Sequence, residues 1–426
     1  MLRCWGNHRE ERSIKEGGET GPRTGAKPVR LWGYFGYIVL GFIVVRIVTA
    51  PFMEKRRGPP PILTEGFPPD FRRGFSLSRA ARTFIVLRGG PGSPRAMSPI
   101  RDRVLLLTHS GDFYTVERVA EEVSRRGGRP LRVDSDDFPA RLGLAWTLGA
   151  GERDVVLRTA AGEVPAREVR SVWMRRLRSP RFDEALEPAW AQSCESESRA
   201  ALEGALDGLA GLGCRFLNRL EADRAASNKA RQLRLAQAVG LRVPRTLVTN
   251  DVERVRAFFG QVGGRMVAKM LTPLTQSMTG GQPFVFTHAL GAEDLDALEG
   301  LRHSPMVFQE RIDKAHELRV AMVGGRCFVG AIDASRSVAG QVDWRRARPD
   351  EVRWEPGALP EPVAGRLRGL MEALGLIYGA VDLIVTPGGE YVFLEVNPGG
   401  EWGMLERELG LPIAAALAEV LTQDAP

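Results

Sequence analysis

The sequence predicts a small α/β domain followed by a larger α+β unit, and three observations carry this reading. A strand–helix–strand run opens the folded part at residue 103. From residue 244 onward, short apolar segments follow one another in hairpin order. Residues 381–397 place two apolar strands on either side of Gly388-Gly389. At 426 residues, with 43% hydrophobic and 26% charged residues, the chain has apolar material for two or three domains. That composition excludes global disorder, a collagen-like fibre and a polytopic membrane protein.

Each element has a local reason. Residues 103–107 (RVLLL) form a short buried-strand run. Tyr114 to Arg126 reads as a helix, with Val116, Val119 and Val123 on one face. Leu131 to Val133 is a second strand, ending in Asp134, Asp136 and Asp137. This order implies a parallel sheet, and the loop Thr108 to Asp112 lies at its carboxyl end, where such sheets bind ligands. Ser171 to Arg176 is a strand ending in paired guanidiniums, Glu184 to Leu212 is mostly helical, and Phe216-Leu217 is a short strand. Residues 97–220 thus form the first domain and 221–426 the second. The second starts with a helix over 225–239, closed by Gly240. Strands follow at 244–248, 265–270, 284–287, 306–309, 318–323, 326–333, 381–385 and 391–396, with helices at 252–259 and 361–374.

Residues 1–96 stand apart. They hold 17 Lys+Arg against 7 Asp+Glu, whereas the remainder holds 42 against 45. The basic balance therefore belongs to the extension, and the folded part lacks the basic footprint of a nucleic-acid binder. An uncharged run, Leu31 to Val45, reaches membrane-spanning length only if it is continued through Arg46 to Met53. Residues 58–96 read as a Pro/Gly/Arg-rich linker. Met97 directly precedes the folded start, so two readings stand: a membrane anchor over 31–53, or upstream sequence translated only on paper. In either case the extension is expected to be dispensable for chemistry.

Lysine is scarce. Six of the 59 basic residues are Lys, and past residue 97 only Lys229, Lys269 and Lys314 remain. A Lys retained in so Arg-rich a chain marks a place where a compact ammonium differs from a planar guanidinium. The four cysteines form no CxxC pair, the five His show no HxxxH spacing, and no GxxxxGK[ST] loop or GxSxG elbow occurs.

The most informative stretch is Val381 to Asn397. A two-residue Gly388-Gly389 loop is a favoured hairpin turn and would set Asp382 opposite Glu395, with Asn397 on their face. A four-residue loop would shift the pairing by two and keep the face. Opposed carboxylates among apolar neighbours need a counter-charge. Two carboxylates and an amide oxygen are hard ligands that suit Mg²⁺. Upstream, Thr275 to Gly281 is a small-residue loop that could cradle phosphate through Thr279, Gly280 and Gly281, with Lys269 on the strand before it. Met306 to Glu310 is an apolar strand ending in polar groups, as an adenine pocket requires.

In this order, the segments RVLLLTHSGD, SVWMRR, the tract around Asn228-Lys229, VAKM, VFQERIDKAHELRV, GAVDLIV and FLEVNPGGEW resemble the ATP-grasp carboxylate–amine ligases. Within that superfamily they look most like the ribosomal peptide maturases that make graspetides, the microviridin-type macrocyclases. The resemblance spans about residues 99–420 and implies an ATP-grasp fold with a pre-ATP-grasp domain at its amino end. It implies ATP contacts for Lys229 and Lys269, with Lys269 at the phosphates, and an adenine hinge at Gln309, Glu310 and Ile312. Glu317 would lie near the ribose or the reacting carboxylate, Arg319 near the transferred phosphoryl group, and Arg336 near an intermediate. Asp382, Glu395 and Asn397 would hold Mg²⁺.

The implied reaction joins a carboxylate to an amine or hydroxyl through an acyl phosphate, closing lactam or lactone links in a ribosomally made precursor peptide. Arg175 and Arg176 are expected to favour acidic peptide side chains. Nucleic acid is not an expected partner, and a homodimer is left open. The expected location is the cytoplasm, or a membrane surface if residues 31–53 act as an anchor. The alternatives are a glutamate ligase acting on a ribosomal protein and an inactive ATP-grasp binding module.

Overall fold

A computed structural model describes residues 101–149, 152–272, 287–333 and 353–423, all within one compact unit. The first layer is built from β1 (Arg103–Thr108), α1 (Tyr114–Arg125) and β2 (Arg129–Asp134). An antiparallel meander follows, β3 (Gly143–Gly149), β4 (Glu152–Thr159) and β5 (Gly162–Pro165), then β6 (Val169–Met174), the long helix α2 (Pro188–Gly211) and β7 (Arg215–Phe216). The sheet order is β2-β1-β6-β7 and every pairing is parallel. Both faces are covered, which explains the unbroken apolar run of β1. Val104 and Leu106 pack with Val116, Val119 and Val123 of α1. Leu105 and Leu107 pack with Val155 and Leu157 of β4 and with Leu206 and Leu209 of α2.

The second part begins with α3 (Leu220–Ala226) and α4 (Lys229–Ala238). The apolar spacing predicts one helix over 225–239, but the chain breaks at Ser227-Asn228. The Asn228 side chain accepts the Arg231 N–H at 3.0 Å and caps a new helix, so Lys229 becomes its first residue. Asn228→Ala should cost about 1 kcal/mol of stability, while Asn228→Gly should cost only a few tenths, as read from chemical denaturation.

Next come β8 (Thr246–Thr249), α5 (Val252–Gln261), β9 (Met266–Lys269), β10 (His288–Leu290) and β11 (Met306–Glu310), forming a sheet in the order β10-β9-β11-β8. The remaining strands are β12 (His316–Val323), β13 (Arg326–Asp333), β14 (Trp354–Pro356), β15 (Tyr378–Val385) and β16 (Tyr391–Asn397), with α6 (Glu361–Leu374) before β15. They form an antiparallel sheet ordered β14-β13-β12-β15-β16. Helices α7 (Gly403–Leu409) and α8 (Ile413–Thr422) end the chain. Leu318, Val320 and Met322 bury one face of β12 under α6, at Leu367 and Leu370. At the other face, Ala321, Val323 and Tyr378 join a core that includes α8 and α1. Helix α8 thus returns to the first sheet, where the Ser171 hydroxyl donates to the Leu421 carbonyl at 2.7 Å.

Candidate active site

The β15–β16 hairpin sets the site. Asp382 is paired directly with Glu395, and Ala380 with Asn397. The turn differs from the expected Gly388-Gly389 loop. The Thr386 N–H donates to the Glu390 carbonyl and the Gly389 N–H to the Thr386 carbonyl, which leaves a three-residue loop, Pro387 to Gly389. Pro387 suits the first inner position of such a turn, and Gly389, at φ 81°, supplies the left-handed residue that closes it. This loop alone would slide the register by one and turn Glu395 to the other face. A bulge restores it: Leu383 pairs with Phe393 and Asp382 with Glu395, so Leu394 has no partner.

The register continues across the sheet. Arg319 on β12 pairs with Asp382, placing Arg319, Asp382 and Glu395 in one cross-strand row. An Arg319 terminal N–H donates to Asp382 Oδ1 at 2.6 Å, and its Nε–H donates to the Glu401 carbonyl at 3.1 Å. Burial disfavours the Arg319 charge, but Asp382 outweighs it and raises the Arg319 pKa. Lys229 lies 2.6 Å from Glu395 Oε2 and donates to Asn397 Oδ1 at 3.3 Å. The Asn397 amide donates to Glu395 Oε1 at 2.9 Å. Burial pushes the Glu395 carboxyl up, but Lys229, Asn397 and Lys269 together hold it at about 2.

Glu395 also lines a cleft of about 380 Å³ between α4, β16 and the sheet of β8, β9 and β11. Lys229, Lys269 and Gln309 line it too, with Val243, Val307 and Leu233 as apolar walls. This is a concave, mostly apolar pocket with a few convergent polar groups, as small-molecule sites usually are. The buried Gln309 side chain donates to the Thr246 hydroxyl at 3.0 Å. Glu310 and Ile312 follow it on the chain but do not line the cleft; Glu310 Oε2 accepts the Arg245 N–H at 3.3 Å. Glu317 shares the Arg319 face of β12 and forms an ion pair with Lys314, whose side chain is 4% exposed. Thr279, Gly280, Gly281, Arg336 and the segment 31–53 lie outside the described residues.

Arg175 corrects an expectation. It was assigned to acidic peptide side chains, yet its side chain is 0% exposed. It donates to the carbonyls of Gly399 and Gly400, lies 2.6 Å from Glu401 Oε2 and 3.8 Å from Asp112. The guanidinium therefore ties the end of β6 to the loop after Asn397, and its donors are engaged within the fold. Arg176 is half-exposed and shares Glu401 at 3.3 Å. Glu401 itself was not anticipated: its Oε1 accepts the N–H groups of Trp402 and Gly403, and its backbone oxygen receives Arg319. The acid follows FLEVNPGG directly, which was the available signal.

Among the described residues, no cluster of three His, Cys, Asp or Glu side chains could hold a metal. The oxygen set here is two carboxylates and an amide, a donor set for a hard cation rather than zinc. No described helix is long and apolar enough to cross a membrane.

Comparison with known proteins bears on the fold as a whole. The family described as the MvdD pre-ATP grasp domain matches residues 103–224. Macrocyclase MdnB from Microcystis aeruginosa MRC is 44% identical, with a TM-score of 0.65 over 75% of this chain and 99% of its own. Macrocyclase MdnC from the same organism, solved with the precursor peptide MdnA, is 34% identical, with a TM-score of 0.68 over 76% and 100%. A RiPP-associated ATP-grasp ligase from Chryseobacterium gregarium, solved with ADP and a leader and core peptide, is 29% identical, with a TM-score of 0.71 over 76% and 98%. A search of curated sequences finds no match. With two macrocyclases above 30% identity along nearly their whole lengths and a parallel-sheet domain of the matching type, this chain belongs to the ATP-grasp macrocyclases, the ADP-forming ligases that mature ribosomal peptides.

Proposed function

We propose that this ligase uses ATP and Mg²⁺ to close lactam or lactone links between side chains of one ribosomally made precursor peptide. The observation that carries the reading is the row Arg319–Asp382–Glu395, continued by Lys229 and opening onto the cleft shared with Lys269 and Gln309. Paired carboxylates flanked by cations are what a transfer between two anions needs. Asp382, Glu395 and Asn397 would hold Mg²⁺, whose positive charge lowers repulsion between the two reacting anions. The lysines at the cleft would draw the nucleotide phosphates, and the Gln309 strand would border the base, with Glu310 and Ile312 at the hinge. Arg319 would neutralise the phosphoryl group in transit, and Glu317, oriented by Lys314, would face the ribose or the reacting carboxylate.

The balance is simple. A peptide carboxylate oxygen bonds to the γ-phosphorus as the bond to ADP breaks. A Lys amine or a Ser or Thr hydroxyl then bonds to the acyl carbon, and phosphate leaves with its oxygen. Each link removes one water, so a co-expressed precursor should lose ~18 Da per ring, with one ADP released for each. A mass increase equal to added Glu would select the glutamate-ligase alternative, and an unchanged mass with no ADP formed would select an inactive module. Hydroxylamine separates ester from amide products.

A further inference from the structure

The carboxyl ends of β1, β2 and β6 carry groups that the reaction above does not use. The chain after β6 crosses over the end of β1 to reach β2: the Arg178 N–H donates to the Ser135 hydroxyl at 2.9 Å and the Arg181 N–H to the Asp136 carbonyl at 2.9 Å. Beneath this crossing lies His109, 4% exposed. Its Nδ1 accepts the Gly111 N–H at 3.1 Å, so its proton is on Nε2, and that buried N–H has no hydrogen-bond partner among the described residues. Burial and the Arg178 charge lower the His109 pKa, which keeps the ring neutral and Nε2 a donor.

The charges around it are unevenly committed. Asp136 and Asp137 accept Arg181, while Asp112 and Glu401 flank Arg175. Arg176 shares Glu401, and exposed Arg178 carries no side-chain ion pair among the described residues. Leu177, 39% exposed, lies between Arg176 and Arg178 in the chain, and Phe113 at the end of the β1 loop is 60% exposed. Arg132 stacks 5.7 Å from the Phe113 ring and donates to the His109 carbonyl, so the aromatic and the buried histidine belong to one surface. An unsatisfied buried donor is costly unless something completes it. The central position of β1, with β2 on one side and β6 on the other, also makes this the crevice where open parallel sheets take ligands.

We propose that this crevice is an acid-side-chain subsite, in which Arg178, Arg176 and the His109 Nε2–H receive an Asp or Glu carboxylate of the peptide while Phe113 and Leu177 pack on its aliphatic stem. The acid held here is one the peptide presents to the first domain. Because Arg175 ties this crevice to the loop after Asn397, a peptide anchored here would lead toward the Asp382–Glu395 row. The proposal rests on the peptide-substrate reading.

The test uses the full chain and two fluorescent decapeptides, one of alternating Thr and Glu and its Gln counterpart. The Glu peptide should bind at least about tenfold more tightly than the Gln peptide, and Arg178→Ala should remove about that factor, as loss of a charge-assisted hydrogen bond does. The His109 imidazole ¹⁵N resonances should shift with the Glu peptide and stay in place with the Gln peptide. Equal affinities, an unaffected R178A variant, or an unmoved His109 signal would overturn the subsite. The function reading fails separately, on the precursor's mass: Arg178-dependent acid binding without dehydration would leave the subsite and remove the macrocyclase reading, whereas dehydration with an R178A KM equal to wild type would do the reverse.

Discussion

Glu395→Gln should abolish turnover, lowering ADP release in the presence of precursor by at least ~10³-fold, while circular dichroism and the melting profile stay near those of the wild type. Glu395 is where the row, the cleft and Lys229 meet: one oxygen faces Lys229 at 2.6 Å and the other accepts the Asn397 amide at 2.9 Å. Gln keeps the shape and one carbonyl acceptor but removes the charge that would face a divalent cation. The effect should fall on kcat, because the missing interaction is with the phosphoryl group in transfer rather than with the peptide. ADP release at the wild-type rate with excess peptide would remove Glu395 from the site.

Arg175→Ala should act on stability instead. Its guanidinium is wholly buried, and its removal leaves the carbonyls of Gly399 and Gly400 and the Glu401 carboxylate without their donor. Breaking a buried, hydrogen-bonded charge pair by deleting one partner typically costs ~3–5 kcal/mol. A large fall in the denaturation midpoint is therefore expected, with activity lost as a consequence. Arg175→Lys should rescue little, since one ammonium cannot reach the carbonyls and the carboxylate together. A variant that melts with the wild type but binds acidic peptide weakly would restore the recognition role the sequence suggested.

The contrast between these residues shows what could be read from the chain. Asp382, Glu395 and Asn397 were legible because strand alternation is local, and an acid among apolar neighbours is conspicuous within a single hairpin. The lysines were legible for a different reason: in a chain of 53 Arg, the three Lys of the folded part stand out, and the structure places Lys229 and Lys269 at one cleft and Lys314 in a buried pair with Glu317. Arg175 was misread because a charged residue at a strand end ordinarily meets solvent. Its partners Gly399, Gly400 and Glu401 lie more than 220 positions away, and nothing near it in sequence announces them. The meander of β3 to β5 went unseen because residues 143–165 mix Gly, Ala and charged residues without steady alternation. The helix break at Asn228 was hidden by an apolar spacing that runs across it, although Asn is among the best capping residues.

The hairpin that carries the acids has a further consequence, which concerns insertions and deletions. With Thr386 facing Glu390, Glu395 lies one step further along its strand than Asp382 does along its own, and the unpaired Leu394 absorbs that step whatever the length of the tip. Deleting Gly388 alone would shorten the tip but leave Thr386 facing Glu390, so the Leu394 bulge would still set Asp382 opposite Glu395, and deleting Leu394 alone would remove the bulge and pair the same two acids directly. Removing both should likewise keep Asp382 and Glu395 on one face, with a shorter tip. Length changes at the tip are therefore expected to leave the acid pair intact, because that pair is set by the strand lengths beyond the Thr386–Glu390 closure rather than by the loop itself.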